Sequence, residues 1–179
     1  MSIPPLTRTE RRLVREIKTL ASDLGLDPVE IAEEEDQELR YVGLTNARMH
    51  IIRGEVITQF TLVDDLLTHE LTIEILGGSK KKPWRRKKVR FDRAKAVLIE
   101  SRMSLRHKLD LYKTYRRVPA RIVEIVAGLN SARNSLAHVF YLEGRRRRAK
   151  YRGQDIISVK TFDRFREDMQ YLYDYLLRL

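Results

Sequence analysis

The part of the sequence best suited to chemistry is residues 128–150, GLNSARNSLAHVFYLEGRRRRAK. Asn130, Asn134, His138 and Tyr141 recur there at intervals of four, four and three residues, so a helix places them on one face. Because a polar face is costly to bury without partners, we expect this stripe to face solvent, a cleft or another chain. The positions that we expect to pack into a core instead are Val123, Val126, Ala127, Leu136 and Phe140.

Two residues of this stretch, Arg133 and His138, are of types that can transfer protons and bind an anion. A histidine titrates near neutral pH and can transfer protons, whereas an arginine can bind phosphate and stabilise charge that develops in the transition state. Asn134 can orient the imidazole or hold a phosphate oxygen, and Asn130 and Tyr141 are accessory candidates.

The angular separation of Arg133 and His138 restricts how they can act together. Five residues place them roughly 140° apart on an ideal helix. The long arginine side chain must therefore curl around the helix, or the pair must act across a two-fold interface between two copies of the chain.

The segment RNSLAH at residues 133–138 resembles the R-x4-6-H signature of HEPN domains, the higher-eukaryote and prokaryote nucleotide-binding family. Asn134 directly after the arginine and Ala137 directly before the histidine also fit the family pattern. The resemblance implies an all-helical fold and a metal-independent endoribonuclease, commonly a homodimer, with Arg133 and His138 as catalytic residues. The 2′-hydroxyl of RNA would then be the nucleophile, and the products would be a 2′,3′-cyclic phosphate and a 5′-hydroxyl. Many members are toxins or antiviral RNases, and others have lost catalysis.

Two details of the sequence bear on this resemblance. Members that are paired with a nucleotidyltransferase antitoxin often carry a tyrosine two residues after the histidine, whereas this chain has Phe140 there and Tyr141 next. The signature also occurs a second time, at Arg102 and His107 in RMSLRH. That copy has a methionine after the arginine and charged neighbours, as a solvated helix face would, so we favour the copy at 133–138.

Two basic segments flank this helix in sequence. KKKPWRRKKVRFDR, residues 80–93, and RRRRAKYR, residues 145–152, combine dense positive charge with the aromatic residues Trp84, Phe91 and Tyr151. Such segments bind phosphates through counterion release, and exposed aromatic rings stack on unpaired bases. The RNA-binding residues that we predict are Lys80, Lys81, Lys82, Trp84, Arg85, Arg86, Lys87, Lys88, Arg145, Arg146, Arg147, Arg148 and Lys150. Generic surface charge is the alternative interpretation.

The composition limits the classes of function. The chain has 179 residues and a formal net charge of +11, which favours a polyanionic partner such as nucleic acid. Since it lacks cysteine, disulfides, thiolate zinc sites and cysteine nucleophiles are excluded. Its four histidines are far apart in sequence, so we expect no metal and no cofactor. No apolar run suggests a membrane span, and we expect a cytoplasmic protein.

The apolar periodicity predicts an all-α fold, an antiparallel bundle of five to seven helices. We expect residues 1–50 to be a helical extension and residues 51–179 to be the HEPN-like bundle, the whole forming one compact domain. The first helix should begin with a capping box of Thr7 and Glu10, and a second should begin at Asp27. Further helices are expected over 51–76, over 91–112, from Pro119 onward and after a cap at Ser158 or Thr161; strand patterns are nearly absent.

The periodicity predicts which residues of three helices are buried. In the segment 51–76 they are Val56, Phe60, Val63, Leu67 and Leu71. In 91–112 they are Ala94, Val97, Leu98, Leu105, Leu109 and Tyr112, and in the last helix they are Phe162, Phe165, Met169, Leu172 and Leu176.

Three functional hypotheses remain open from the sequence. The first is a homodimeric HEPN-like endoribonuclease, plausibly a toxin or phage-defence effector with an antitoxin partner. The second is a non-catalytic helical module that binds RNA, a nucleotide or a protein, in which Arg133 and His138 would matter little and the arginine run would matter greatly. The third is a helical DNA-binding regulator, which should prefer duplex over single strands.

Overall fold

The computed structural model is an all-α protein, and it describes residues 5–26, 36–76, 88–137 and 149–177. Helices account for 81% of these residues, which confirms the predicted fold class. The six helices of the described part are α1 Arg8–Asp23, α2 Gln37–Ile75, α3 Lys88–Glu100, α4 Leu105–Tyr115, α5 Ala120–Ala137 and α6 Val159–Leu177. Two short strands, β1 Lys150–Tyr151 and β2 Gln154–Asp155, form an antiparallel hairpin between α5 and α6.

The chain divides into two compact units, Met1–Ile57 and Thr58–Leu179, and α2 contributes residues to both. The predicted division at residue 50 stays a prediction. In the first unit Leu13, Ile17 and Leu44 form a small apolar core. Beside it the Arg40 guanidinium donates to the Glu10 carboxylate at 2.7 Å, with both side chains buried.

The ends of α1 follow the sequence signals. The Thr7 hydroxyl accepts from the Glu10 backbone N–H and the Glu10 carboxylate accepts from the Thr7 N–H, so the predicted capping box is confirmed. Gly25 ends the helix at φ +64, a left-handed conformation that glycine adopts without steric cost. The predicted helix start at Asp27 lies outside the described residues. The next helix, α2, begins at Gln37, where the Asp36 carboxylate accepts from the N–H groups of the first turn.

The core of the second unit follows most of the predicted stripes. Phe162, Phe165, Met169, Leu172 and Leu176 are all buried on α6. The Ser158 hydroxyl accepts from the Thr161 N–H at 3.3 Å, so Ser158 is the residue that caps this helix. On α2 the residues Val63, Leu67 and Leu71 are also buried, as is Val56, which belongs to the first unit. The segment is helical, so its β-branched residues do not form a strand.

The prediction of one continuous helix over residues 91–112 is wrong. α3 ends at Glu100 and α4 begins at Leu105, because Arg102 adopts φ +51 and the Ser104 hydroxyl then caps a new helix by accepting from the His107 N–H. Within the predicted stripe Leu98, Leu105, Leu109 and Tyr112 are buried, whereas Val97 is 63% exposed.

The hairpin between α5 and α6 was missed because its strands are only two residues long. Arg152 and Gly153 form its turn with φ values of +48 and +81, as a type I′ turn requires at both central positions. The Tyr151 side chain is fully buried, and it packs edge-on against Phe165 with ring centroids 5.2 Å apart. The hairpin is therefore anchored in the core of the second unit.

Candidate functional site

Arg133 lies in the last two turns of α5, with its side chain exposed to solvent. Its Nη1 donates to the Asn134 carbonyl oxygen Oδ1 at 3.0 Å, and its Cζ lies 5.1 Å from the centroid of the Phe60 ring. Both neighbours are uncharged. No aspartate or glutamate in the described part of the chain forms an ion pair with Arg133, so its positive charge remains available to an anionic ligand.

Asn134 is exposed beside Arg133, and Asn130 is half-buried one turn earlier. Since the Asn134 oxygen accepts from Arg133, this residue orients the arginine, and its amide N–H groups are what it can offer to a phosphate. The predicted packing of Ala127 is wrong: Ala127 is exposed. It precedes Asn134 by seven residues, close to two full turns, and so shares the polar face.

Several predicted site residues lie outside the described residues. They are His138, Tyr141 and, in the basic segments, Lys80, Lys81, Lys82, Trp84, Arg85, Arg86, Lys87, Arg145, Arg146, Arg147 and Arg148. Lys88 is the first residue of α3, and Lys150 is exposed in β1. The structure thus describes Arg133, Asn134 and Asn130 of the predicted site, and it leaves the pairing of Arg133 with His138 a prediction.

Two of the aromatic residues expected to stack on bases have other surroundings. Tyr151 is fully buried, so its expected role as an exposed stacking residue is wrong. Phe91 is half-buried and packs edge-on against His69, with ring centroids 5.1 Å apart. Some aromatic rings that are next to basic residues in sequence therefore pack within the protein. Trp84, the third aromatic residue of the basic segments, lies outside the described residues.

The hairpin that follows the arginine run is held by a buried carboxylate, Asp168 on α6. The Tyr151 hydroxyl and Arg152 Nη1 each donate to Asp168 Oδ2 at 3.0 Å. Arg121 Nη2 donates to the other oxygen at 3.3 Å, and Arg152 also donates to Glu124. Burial, and then the negative charge of Asp168, raise the pKa of the Tyr151 hydroxyl, which stays protonated as a donor.

Gly128 on α5 gives the hairpin the space to approach. A Cβ atom at this position would lie 2.9 Å from Tyr151 Cε2 and 2.9 Å from Arg152 Cγ. Contacts this short do not occur between unstrained carbon atoms, so a larger residue would push the hairpin away from α5. The glycine therefore fixes how closely the hairpin packs on α5.

The second copy of the R-x4-6-H signature does not lie on one helix. Arg102 belongs to the turn before α4, and His107 lies in the first turn of α4, where its Nδ1 is 3.1 Å from the Ser104 hydroxyl. Both residues are exposed. The break between α3 and α4 thus separates Arg102 from His107.

Phe60 is the site residue that the sequence did not reveal. It was expected in the buried stripe of α2, but it is half-buried and its ring supports the Arg133 guanidinium. An arginine over an aromatic ring gains about 0.5–1 kcal/mol at an exposed site. Apolar spacing identifies the inner face of α2, but it does not show which side chain of another helix covers the margin of that face.

No group of three or more His, Cys, Asp or Glu side chains among the described residues is arranged to hold a metal ion. None of the helices in the described ranges is both long and apolar enough to cross a membrane.

Comparisons with known proteins identify no family for this chain. No protein-family model matches the chain, and neither the curated proteins nor the solved structures contain a significant match. A function must therefore be argued from the residues themselves.

Proposed function

We propose that this protein is a metal-independent endoribonuclease of the HEPN type, with Arg133 as its phosphate-binding residue. The observation that carries the proposal is the state of Arg133. Its guanidinium is exposed, is held by Asn134 and the Phe60 ring, and has no carboxylate partner in the described ranges. A cation fixed by neutral groups keeps its full charge for a phosphate, and a guanidinium can bind two phosphate oxygens at once.

His138 supplies proton transfer in this proposal. The 2′-hydroxyl oxygen attacks the adjacent phosphorus while His138 takes its proton as general base, or while an imidazolium protonates the departing 5′-oxygen as general acid. One P–O bond forms and one breaks, which leaves a 2′,3′-cyclic phosphate and a 5′-hydroxyl. Arg133 stabilises the negative charge that grows on the phosphate oxygens in between.

The proposed active unit is a homodimer in the cytoplasm. Because Arg133 and His138 point roughly 140° apart on an ideal helix, a two-fold interface would let the arginine of one protomer meet the histidine of the other. The basic segments around residues 80–88 and 145–150 would guide the RNA. A role as a toxin or phage-defence effector, with an antitoxin as protein partner, belongs to the same proposal.

One observation favours the alternative of RNA binding without cleavage. The Asn134 oxygen accepts from Arg133 Nη1, which gives Asn134 a role in holding the arginine that requires no histidine. The same Arg133 would then bind phosphate only, and the histidine would not contribute to the function.

The test compares the wild-type chain with His138→Ala on end-labelled single-stranded RNA in excess EDTA. Removing a general acid or base lowers a rate by roughly 10²–10⁴-fold, so we expect the cleavage products to disappear and the wild-type products to carry cyclic phosphate ends. Arg11→Gln, an exposed arginine of α1, is the control for a lost charge and should cleave normally. Tight binding without cleavage by the wild type would support the alternative, and cleavage that EDTA abolishes would contradict the proposal.

A further inference from the structure

A second group of arginines and tyrosines lies at the other end of α5. The Arg121 Cζ lies 4.0 Å from the centroid of the Tyr171 ring on α6. Four residues before Arg121, the backbone carbonyl of Arg117 accepts from the Tyr175 hydroxyl at 3.3 Å. These two contacts join the last turns of α6 to the segment that leads into α5. We call Arg117, Arg121 and Tyr171 the arginine–tyrosine surface.

Two ion pairs of this region have a buried anion and an exposed cation. The Arg121 side chain is 53% exposed, whereas that of its partner Asp168 is 3% exposed. Arg116 repeats the pattern, since its side chain is 40% exposed and that of its partner Glu74 is 10% exposed. The nearby Arg152–Glu124 pair has the opposite arrangement, with Glu124 59% exposed. A ligand that approaches Arg116 or Arg121 from solvent therefore meets a guanidinium group before the carboxylate that is paired with it.

Arg117 adds a charge that is not compensated in this way. It is exposed, and no carboxylate in the part of the chain that the structure describes forms an ion pair with it. The exposed acid one helical turn before Tyr171 is Glu167. The arginine–tyrosine surface is thus positively charged at Arg117, and the negative charge of Glu167 bounds it.

Tyr171 is a candidate for stacking on a base. It is 36% exposed, and the guanidinium over its ring holds it in one orientation, so little side-chain freedom would be lost on binding. Stacking of a base on an aromatic ring contributes about 1–3 kcal/mol and does not depend on the identity of the base. Bases of a duplex are already stacked on one another, so the favoured ligand is an unpaired strand.

We propose that the arginine–tyrosine surface binds single-stranded RNA, with Tyr171 stacking on a base and Arg117 contacting phosphate. Arg121 acts as the residue that positions the Tyr171 ring. The surface is separated from Arg133 by twelve residues of α5, about 18 Å along the helix axis, and so it would hold a part of the strand away from the scissile phosphate. The identity of the ligand rests on the proposed function, but binding here requires no cleavage.

The test measures binding of a fluorescent 2′-O-methyl oligoribonucleotide, which lacks the nucleophilic hydroxyl and so stays intact, by anisotropy with the full-length chain. We expect Tyr171→Ala to raise the Kd roughly 5- to 150-fold, as the loss of one stacked base implies, and Tyr171→Phe to keep the wild-type Kd. Arg117→Gln should weaken binding and reduce the salt dependence by the contribution of about one phosphate. Tyr41→Ala, which removes a tyrosine 42% exposed on α2, is the matched control.

The outcomes separate this inference from the proposed nuclease activity. A higher Kd for Tyr171→Ala together with an unchanged Tyr41→Ala supports the inference, whether or not the wild type cleaves ordinary RNA. An unchanged Kd for Tyr171→Ala, an equal loss in Tyr41→Ala, or no binding by the wild type overturns it. If the wild type cleaves RNA, Tyr171→Ala should raise KM and leave kcat unchanged, and a lower kcat with an unchanged KM would contradict the assignment.

Discussion

Two arginines, Arg152 packed on α5 and Arg133 within α5, have opposite electrostatic surroundings. Arg152 in the hairpin turn donates to Asp168 and to Glu124, and its side chain is only 20% exposed. Arg133 near the end of α5 is exposed and contacts an amide and an aromatic ring. The first arginine is neutralised by two carboxylates, whereas the second keeps its charge.

The difference shows how a structural arginine can be told from one that is available for a ligand. A buried carboxylate such as Asp168 must be paired, because an isolated buried charge is strongly destabilising. The hydrogen bond to Asp168 accordingly raises the pKa of the Arg152 guanidinium. An exposed arginine that is oriented by neutral groups contributes little to folding, and its charge remains available to a ligand.

The largest effect that this comparison predicts is for Asp168→Ala. The substitution leaves the buried Tyr151 hydroxyl and two arginines without their acceptor, and loss of one partner from a buried network costs about 3–5 kcal/mol. The measurement is the free energy of unfolding in urea. Glu124→Gln is the control, since the Glu124 side chain is 59% exposed and an exposed pair contributes at most about 1 kcal/mol. Equal losses in the two variants would contradict the structural role of Asp168.

A smaller loss of unfolding free energy is expected for Gly128→Ala, which tests how the hairpin packs on α5. The new methyl group would press on Tyr151 and Arg152, and overpacking of this kind costs about 1–3 kcal/mol. Gly54→Ala is the control, because nothing lies within 4 Å of the Cβ that it would add. That variant should gain stability by about 0.5–1 kcal/mol from helix propensity. Stabilisation by both alanines would show that the hairpin does not pack on α5 in this way.

The sequence predicts much of this fold because several of its signals are local. The capping box of Thr7 and Glu10 and the stripe from Phe162 to Leu176 depend on neighbours within one or two turns. The break at Arg102 depends on a left-handed conformation that arginine seldom adopts, and the hairpin turn places Arg152 where asparagine or aspartate is the usual signal. At neither position does the residue type predict this conformation.

The candidate site was less predictable than the fold, because it depends on contacts between distant residues. Arg133 and Asn134 were identified by their types and spacing, and the helix that carries them is present. The support from Phe60 and the burial of Tyr151 were not foreseen. The composition counts every arginine as a positive charge. The structure shows that Asp168 and Glu124 neutralise Arg152 and that neither of them pairs with Arg133.

Glu10 and Arg40 extend the comparison to a buried pair whose contribution to stability depends on pH. The hydrogen bond from Arg40, aided by those from Thr7, lowers the pKa of the Glu10 carboxyl from 4.5 to about 2. The unfolded chain therefore binds more protons between these values, so the stability from this group is complete above the ordinary pKa and is lost as the pH falls toward 2. In urea titrations Glu10→Gln should lack this part of the acid dependence, and identical pH profiles for the two proteins would refute the assignment.

The central claim is that Arg133 serves RNA and not the fold, and the most direct measurement is the single-turnover rate of RNA cleavage by Arg133→Gln. Removing one group that stabilises transition-state charge costs roughly 10²–10³-fold in rate, and we expect this loss with an unfolding free energy within about 1 kcal/mol of the wild type. A cleavage rate equal to that of Arg11→Gln, or a rate that falls only because the variant unfolds, would contradict the account.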